Sequence, residues 1–558
     1  MRALYTLAAS LLLLTAHAQW PTDPNDPLVV CNDPSDQRDY RLAGDGAGGW
    51  YVTWLDNRLG ANRYAVFGQR VNSQGIPQWE PNGRLIQEVP GRSIGFYAIA
   101  RMSDNNLFMA YISGVDVNSG DTVRAMAFDD EGAAVWAEPT LLAIPGMLPG
   151  GGTGYANFYP RLTPVLNGMF VGWGSWPVGG ADYVHLARVL NDGTNLMPVQ
   201  GIEVPNMNNS IFSGPWSMRH DLNGGLLLEE RWGNGAGAPL YAMRVDSMGN
   251  QLWPSNLIVS ANSGGLAYEW SSAVAPTARV NSVWANGYDL RMAIYDTTGV
   301  LFNTTAPIDV CIHPDVQENP FVVQSATETT VFWADNRAAL GGGRQVFMQR
   351  FDAEGNALLP SEGALALQCN GNQNGFPRAI AAEDNTHIVA MIAPFANNGA
   401  TPGFRVGRVT NTGTNLWSDT TRFTTTAFAP NDLVSYSLVS DGDGGAACFW
   451  FNSTNNAIYA ARLDRNGRMG DFTSVAEHAQ ASFSLFPNPA TDRITLRSRN
   501  GGPLGEVRIH AADGRLVKQF SVPQQDRLVI DLTDLPAGLY TLTAQHNAQR
   551  SATRLVKH

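Results

Sequence analysis

Residues 333–358 read WADNRAALGGGRQVFMQRFDAEGNAL, and residues 54–79 read WLDNRLGANRYAVFGQRVNSQGIPQW. Two near-copies so far apart raise the question of what the chain repeats. A looser template finds the second half of the phrase eight times: YAVFGQRVNSQG, VRAMAFDDEG, VHLARVLNDG, YAMRVDSMG, LRMAIYDTTG, VFMQRFDAEG, FRVGRVTNTG and IYAARLDRNG. The closing glycines are Gly75, Gly132, Gly193, Gly249, Gly299, Gly355, Gly413 and Gly467, and their seven intervals average 56 residues. Each copy is an alternating strand that ends in a Gly-bearing turn, where glycine supplies the positive φ of a tight hairpin. Trp79, Trp136, Trp253 and Trp417 follow four of these turns.

A unit of this length with period-two patterning holds four short strands. One such sheet cannot cover both of its faces. Neighbours stacked around an axis can, and this leaves only short, protected edges. The reading is an all-β chain with an eight-bladed β-propeller over residues 26–475. A parallel solenoid fits less well, because its repeats are shorter and lack hairpins. The segments RLIQ, PIDVC and LALQC precede the next unit and read as outermost strands. PLVVC, ending at Cys31, resembles them but precedes the first unit. Pro27–Cys31 is therefore expected to complete the last blade and close the ring. Cys31, Cys311 and Cys369 then lie on three different blades, too far apart to bridge, and free packed thiols are expected. No cysteine has zinc-ligand spacing, and no cofactor is implied.

Net charge is −12, which argues against nucleic acid as a partner. It is unevenly spread. From Ser482 onward there are ten Lys/Arg and six Asp/Glu, so the remainder carries 27 − 43 = −16. Both lysines, Lys518 and Lys557, fall in that tail, which marks a boundary near residue 480. At the other end, Arg2, an apolar run to Leu14 and Ala16-His17-Ala18 read as a signal peptide over residues 1–18, cleaved between Ala18 and Gln19. The run is too short to span a bilayer, and no transmembrane segment is expected.

The tail alternates in RITLRS, EVRIHAADGRLVKQF, RLVIDL and GLYTLTAQ, which predicts a small Ig-like antiparallel β-sandwich over residues 482–558. It also carries Phe486-Pro487-Asn488-Pro489, Asp513-Gly514, Leu535-Pro536-x-Gly538-x-Tyr540 and a final basic Lys557. In these residues it resembles the type A C-terminal sorting domain of the bacterial type IX secretion system. The resemblance implies export through the periplasm to the cell surface or medium. The implied partners are the type IX translocon and a sortase-type protease that removes the domain. The repeats separately resemble the W-x-D-N-R units of secreted bacterial propeller proteins, which implies fold and not function.

In such a propeller, the loops entering each first strand share one face with those joining strands two and three. An aromatic marks the start of each first strand: Tyr40, Tyr97, Tyr159, Trp216, Trp270, Phe321, Phe376 and Tyr436. Arg41, Arg161, Arg219 and Arg378 follow closely in four units. These aromatics either wedge between blades or line a channel mouth, where they would stack on sugars beside arginines that bind acidic groups. Asp56-Asn57-Arg58 and Asp335-Asn336-Arg337 end second strands on the same face and read as structural clasps, with arginine reaching a neighbouring blade's carboxylate. Asp441-x-Asp443-Gly444 and Asp116-x-Asn118-x-x-Asp121 are incomplete as calcium loops. Glu229-Glu230 is a conceivable carboxylate pair facing a loop, but adjacent strand residues point to opposite sides. His185, His220, His313 and His387 are dispersed, and no Gly-x-Ser-x-Gly is present.

The expectation is a secreted or cell-surface protein that binds a glycan or a protein. A polysaccharide hydrolase or lyase acting at the channel mouth is the alternative. Deletion of residues 482–558 should leave the protein in the periplasm, as scored by immunoblots of cell fractions. Normal surface or medium levels of the truncated chain would contradict the sorting assignment.

Overall fold

A computed structural model describes residues 20–557 except 24–25, 116–120, 145–154, 178–182, 209–215, 232–237, 264–269, 303–305, 338–343, 372–375, 395–401, 418–421, 425–435, 471–482, 489, 499–502, 512–515, 523–524, 537 and 547–548. Ala18, Gln19, Pro489, Asp513, Gly514 and most of the 116–121 motif thus lie outside the described residues. The chain divides into two compact units, Met1–Asp471 and Phe472–His558. It is all-β, and no helix among the described residues is long and apolar enough to cross a membrane.

In the first unit, eight four-stranded antiparallel sheets follow one another among the described residues. Seven are continuous in sequence, over residues 37–87, 93–143, 155–208, 216–263, 270–311, 317–371 and 378–424. The eighth takes Tyr436–Ser440, Ala446–Asn452 and Ala457–Leu463 from the end of the unit. Its outer strand, Leu28–Cys31, comes from the beginning. That strand pairs antiparallel through Leu28↔Ala460, Val29↔Tyr459 and Cys31↔Ile458. Second strands such as Trp50–Asp56, Leu107–Gly114 and Thr329–Asp335 are buried at every position. This is why they read as nearly unbroken apolar runs: a neighbouring sheet covers each face.

The eight turn glycines hold φ between +76° and +88°. Their hairpins are capped from within: the Asp129 carboxylate, for example, accepts the amides of Glu131 and Ala133 at 3.1 and 2.7 Å. Each hairpin also receives a residue from the preceding sheet. The indole N–H of Trp79 donates to the Asp130 carbonyl at 3.2 Å, Trp136 to Asn191 at 2.8 Å, Trp253 to Thr297 at 2.9 Å and Trp417 to Arg465 at 3.1 Å. The rings lie flush on glycine. A Cβ at Gly193 would come within 2.9 Å of Trp136, and one at Gly467 within 2.6 Å of Trp417. Ile202 and Ile308 fill the same place against Gly249 and Gly355.

The eighth sheet has no tryptophan after Gly467 to dock on the first hairpin. Trp20 takes that role: it is 1 % exposed, its indole donates to the Ser73 carbonyl at 2.9 Å, and its ring lies where a Cβ on Gly75 would stand, 2.7 Å away. The N-terminal segment thus supplies both the docking indole and the outer strand of the last sheet.

The repeated Asp-Asn-Arg phrase is a clasp, with partners other than those expected. Asp56 is fully buried and accepts bonds from Trp54 Nε1 at 3.0 Å, Ser35 Oγ at 2.8 Å and the amide and guanidinium of Arg58 at 2.9 and 2.6 Å. Arg58 also donates to the Asn82 carbonyl at 3.1 Å and lies 3.7 Å from Cys31 Sγ of the eighth sheet. Arg337 likewise pairs with Asp335 at 3.0 Å and reaches Cys311 Sγ of the fifth sheet at 3.3 Å. The arginine therefore holds the aspartate of its own strand and touches the neighbour's thiol, with a second carboxylate farther off, Asp33 at 3.6 Å from Arg58 and Glu362 at 3.5 Å from Arg337. Its cation is already satisfied two residues away, on the turn that aspartate caps. All four cysteines are free and buried. Burial pushes the thiols up, to about 11 for Cys31 and about 12 for Cys311. Burial also opposes the Asp56 charge, but the bonds from Arg58, Ser35 and Trp54 outweigh it and hold that carboxyl below its ordinary range. At Asp335 burial prevails and the carboxyl is raised.

Trp20→Ala should cost about 3–5 kcal/mol of stability, and Trp20→Phe only about 1, since the ring contact survives and one hydrogen bond is lost. Calorimetry on the exported chain measures both, and unchanged melting in both variants would contradict the closure role. The depressed pKa of Asp56 stabilises the fold above the ordinary aspartate range, and this stability is lost as pH falls through the folded value. Arg58→Ala should therefore destabilise by about 3–5 kcal/mol near neutral pH. In urea titrations the gap from the parent should narrow toward about pH 3, and a gap independent of pH would contradict the pairing.

Candidate functional site

The first strands of four sheets break register at the end opposite the hairpins; the second sheet's shifts between Ile94 and Phe96, and those of the first, third and sixth share another form of bulge. In those three the ladder shifts between Arg38 and Arg41, between Phe158 and Arg161, and between Glu318 and Phe321. In each bulge one residue takes a left-handed backbone: Asp39 at φ 51°, Tyr159 at 49° and Asn319 at 53°. Aspartate and asparagine tolerate this conformation, whereas for tyrosine it is a strained outlier. Tyr159 and Asn319 each precede a proline, which has no N–H for the ladder and so favours a break there.

The aromatics divide by what their polar atoms do. Tyr40 Oη lies 3.1 Å from Ser437 Oγ and donates to the Phe449 carbonyl at 3.1 Å, tying the first sheet to the eighth. Tyr97 donates to the Asp39 carbonyl at 2.8 Å, tying the second sheet to the first. Tyr436 donates to the carbonyls of Phe376 at 2.6 Å and Ala390 at 2.9 Å, tying the eighth sheet to the seventh. Burial raises the pKa of all three. Their hydroxyls are thus engaged in wedges between sheets. Trp270 packs half-buried against the core of the fourth and fifth sheets. Arg378 lies over the rings of Phe321 and Tyr436 at 5.6 and 5.8 Å. Trp216 opens the first strand of the fourth sheet, and Arg219 on that strand lies 3.9 Å from Glu229.

Four of the expected residues meet. Arg41, Tyr97, Tyr159 and Arg161 line one pocket of about 400 Å³, together with Asp39, Phe96 and Leu162. Tyr159 is 47 % exposed and packs edge-on against Phe96, with ring centres 5.0 Å apart. Arg41 and Arg161 are both exposed, and each stands two residues after the left-handed residue of its bulge. Arg41 lies 5.6 Å over the Tyr97 ring and donates to the Tyr40 carbonyl at 3.1 Å. Desolvation, and then the like charge of Arg41, lower the pKa of Arg161. A pocket with two cations beside an exposed ring suits an anionic, flat-faced ligand.

Other candidates are closed. Glu229 and Glu230 lie within the strand Leu226–Arg231 rather than facing a loop. Glu229 is fully buried and accepts bonds from Tyr295 at 2.8 Å, Ser217 at 3.2 Å, Ser272 and Ser282. It joins the fourth sheet to the fifth, because four neighbouring hydroxyl donors can compensate a carboxylate placed between sheets. Asp441 caps its own turn through the amides of Asp443 and Gly445 at 2.8 Å and pairs with Arg462. Asp45 and Asp221 do the same with Arg70 and Arg244. The shared D-x-x-x-G spacing was a readable signal for this device. Ser175 Oγ lies 2.7 Å from His185 Nε2, and burial pushes that imidazole down to about 4. Among the described residues, no three His, Cys, Asp or Glu gather to hold a metal.

In the second unit, a three-stranded and a four-stranded antiparallel sheet share one core. The motif residues knit its ends. Asn488 Oδ1 accepts the Val556 amide at 2.9 Å, Ala490 pairs in parallel with Lys557, and Tyr540 donates to the Pro536 carbonyl at 2.8 Å. Pro487 and Gly538 are exposed, and Leu535 is half-buried.

Solved structures similar to the chain include a protein of unknown function from Dyadobacter fermentans, at 12 % identity over 58 % of this chain and 96 % of that one, TM-score 0.31. The GH93 α-L-arabinofuranosidase of Fusarium graminearum with arabinobiose matches at 10 % identity over 58 % and 97 %, TM-score 0.36. Prolyl oligopeptidase B from Galerina marginata, a mutant bound to a 35mer substrate, matches at 10 % over 74 % and 57 %, TM-score 0.37. No curated protein matches the chain. Residues 484–558 match the family described as the secretion system C-terminal sorting domain. The chain therefore ends in a type IX secretion sorting domain and is an exported protein, secreted or attached at the outer surface.

Proposed function

We propose that this is a surface-delivered binding protein: an eight-bladed β-propeller that takes a glycan at the mouth of its ring, followed by an Ig-like sorting sandwich that a sortase-type protease removes. The observation that carries this reading is the pocket that an exposed, strained tyrosine shares with two arginines from the first and third sheets. Ring faces stack on the apolar faces of sugars, and bulges beside a site re-aim side chains toward a ligand. A backbone outlier held by a rigid sheet is where ligand contacts concentrate. One carboxylate, Asp39, joins the pocket, whereas hydrolysis between two carboxylates needs a facing pair. The pocket therefore favours binding over cleavage.

Screening the exported chain against an oligosaccharide panel should give saturable binding. Tyr159→Ala should weaken that binding at least about ten-fold, with melting unchanged, since a stacking contact is worth on the order of 1–3 kcal/mol. Incubation should release no new reducing ends. Binding that survives Tyr159→Ala in full, or steady release of reducing ends, would overturn the proposal.

A further inference from the structure

We infer that the sugar is an acidic one, with its anionic group held between Arg41 and Arg161. This rests on the glycan reading above and narrows it. The same local device aims both side chains. In the first sheet the bulge Asp39-Tyr40-Arg41 flips Asp39, and in the third Tyr159-Pro160-Arg161 flips Tyr159, so each arginine follows its left-handed residue at the same spacing. The sixth sheet carries the same bulge as Asn319-Pro320-Phe321, with phenylalanine in the arginine's place. The bulge thus also occurs where no arginine follows it, and the cations are what the first and third sheets add to it.

Two guanidinium groups in one pocket repel each other, and Arg161 already yields part of its proton affinity to desolvation and to Arg41. An anion between them reverses that cost, because a guanidinium presents a planar fork matched to a carboxylate or sulfate. Asp39 on the same wall leaves the pocket one positive charge in excess and supplies an acceptor for a sugar hydroxyl. The surroundings limit the ligand's charge. Residues 1–481 carry 27 Lys/Arg against 43 Asp/Glu, so a densely charged polymer is repelled outside the pocket. A glycan with one acidic unit at its end, or with acidic units spaced by neutral ones, meets the two arginines without that opposition.

The test uses the full exported chain and calorimetric titration. The probes are neutral disaccharides capped with galacturonate, glucuronate or mannuronate, each beside its carboxyl-reduced counterpart and a 6-sulfated counterpart. At least one acidic probe should bind ten-fold or more tightly than its reduced form. Arg161→Gln and Arg41→Gln should each remove that advantage, lowering the affinity for the acidic form at least ten-fold more than that for the reduced form, with the melting temperature unchanged. A sulfated probe that binds like the uronate assigns the contact to any anion, and one that binds only like the reduced form assigns it to the carboxylate; both sustain the inference. Acidic and reduced forms that bind equally, with both glutamine variants indifferent, would overturn it while leaving Tyr159-dependent glycan binding intact. Failure of every acidic probe beside a bound neutral glycan would also overturn it. If no probe and no panel glycan bound, the broader reading would fall as well.

Discussion

An indole ring laid flat on a glycine is the contact on which the first unit depends. A four-stranded sheet in this chain cannot cover its own faces, so each must lie against two neighbours, and the hairpin glycine sets how closely the next sheet approaches. The same glycine provides the positive φ of the turn and the missing Cβ that admits the tryptophan. One residue type thus satisfies a backbone and a packing requirement together, which explains why the phrase recurs with so little change. At the boundary between the last sheet and the first the rule still holds, although the tryptophan and the outer strand come from the opposite end of the chain. A ring whose ends are joined by one short segment gains or loses its closure as a whole.

The two faces of this ring solve different problems. On the hairpin side most sheets make nearly the same contact, with tryptophan or isoleucine on the glycine, and Gly413 alone of the eight meets Ala364 and the Leu365 carbonyl. On the opposite side the wedging tyrosines hold adjacent sheets through carbonyl and hydroxyl partners, and the Asp-Arg clasps stiffen the ends of the second strands. That stiffness lets bulges at the first strands hold a tyrosine in a conformation it would otherwise leave. The pocket formed by Arg41, Tyr159 and Arg161 is a local exception on a uniform frame, and exceptions of this kind are where a repeat fold acquires chemistry.

The sequence made much of the frame legible because glycine turns and alternating strands are local signals. The closing strand could be read as well, since PLVVC looks like PIDVC and has no sheet before it to complete. Trp20 could not, because one indole ahead of the first strand carries no periodicity. The aromatics were found, but whether a ring wedges or lines a mouth depends on the carbonyl its hydroxyl meets on the next sheet. That left Tyr40, Tyr97 and Tyr436 inseparable from Tyr159. The meeting of Arg41 with Arg161 depends on two sheets that are not adjacent in sequence, although the x-Pro step at 159–160 and 319–320 hinted at the break. Glu229 reads as a conceivable catalytic carboxylate because strand alternation cannot show four hydroxyl donors waiting on the neighbouring strands.

The sorting domain sends the chain out of the cell, and the ring must then hold its shape without the cell's help. The most direct test of the account is native-state hydrogen exchange, followed by mass spectrometry, on the exported chain. The account predicts that the amides of Leu28–Cys31 exchange as slowly as those of their partner strand Ala457–Leu463, and that both are released together in one cooperative opening. Exchange of Leu28–Cys31 at the rate of a free chain end, while Ala457–Leu463 stays protected, would show that the ring is not closed by its own beginning.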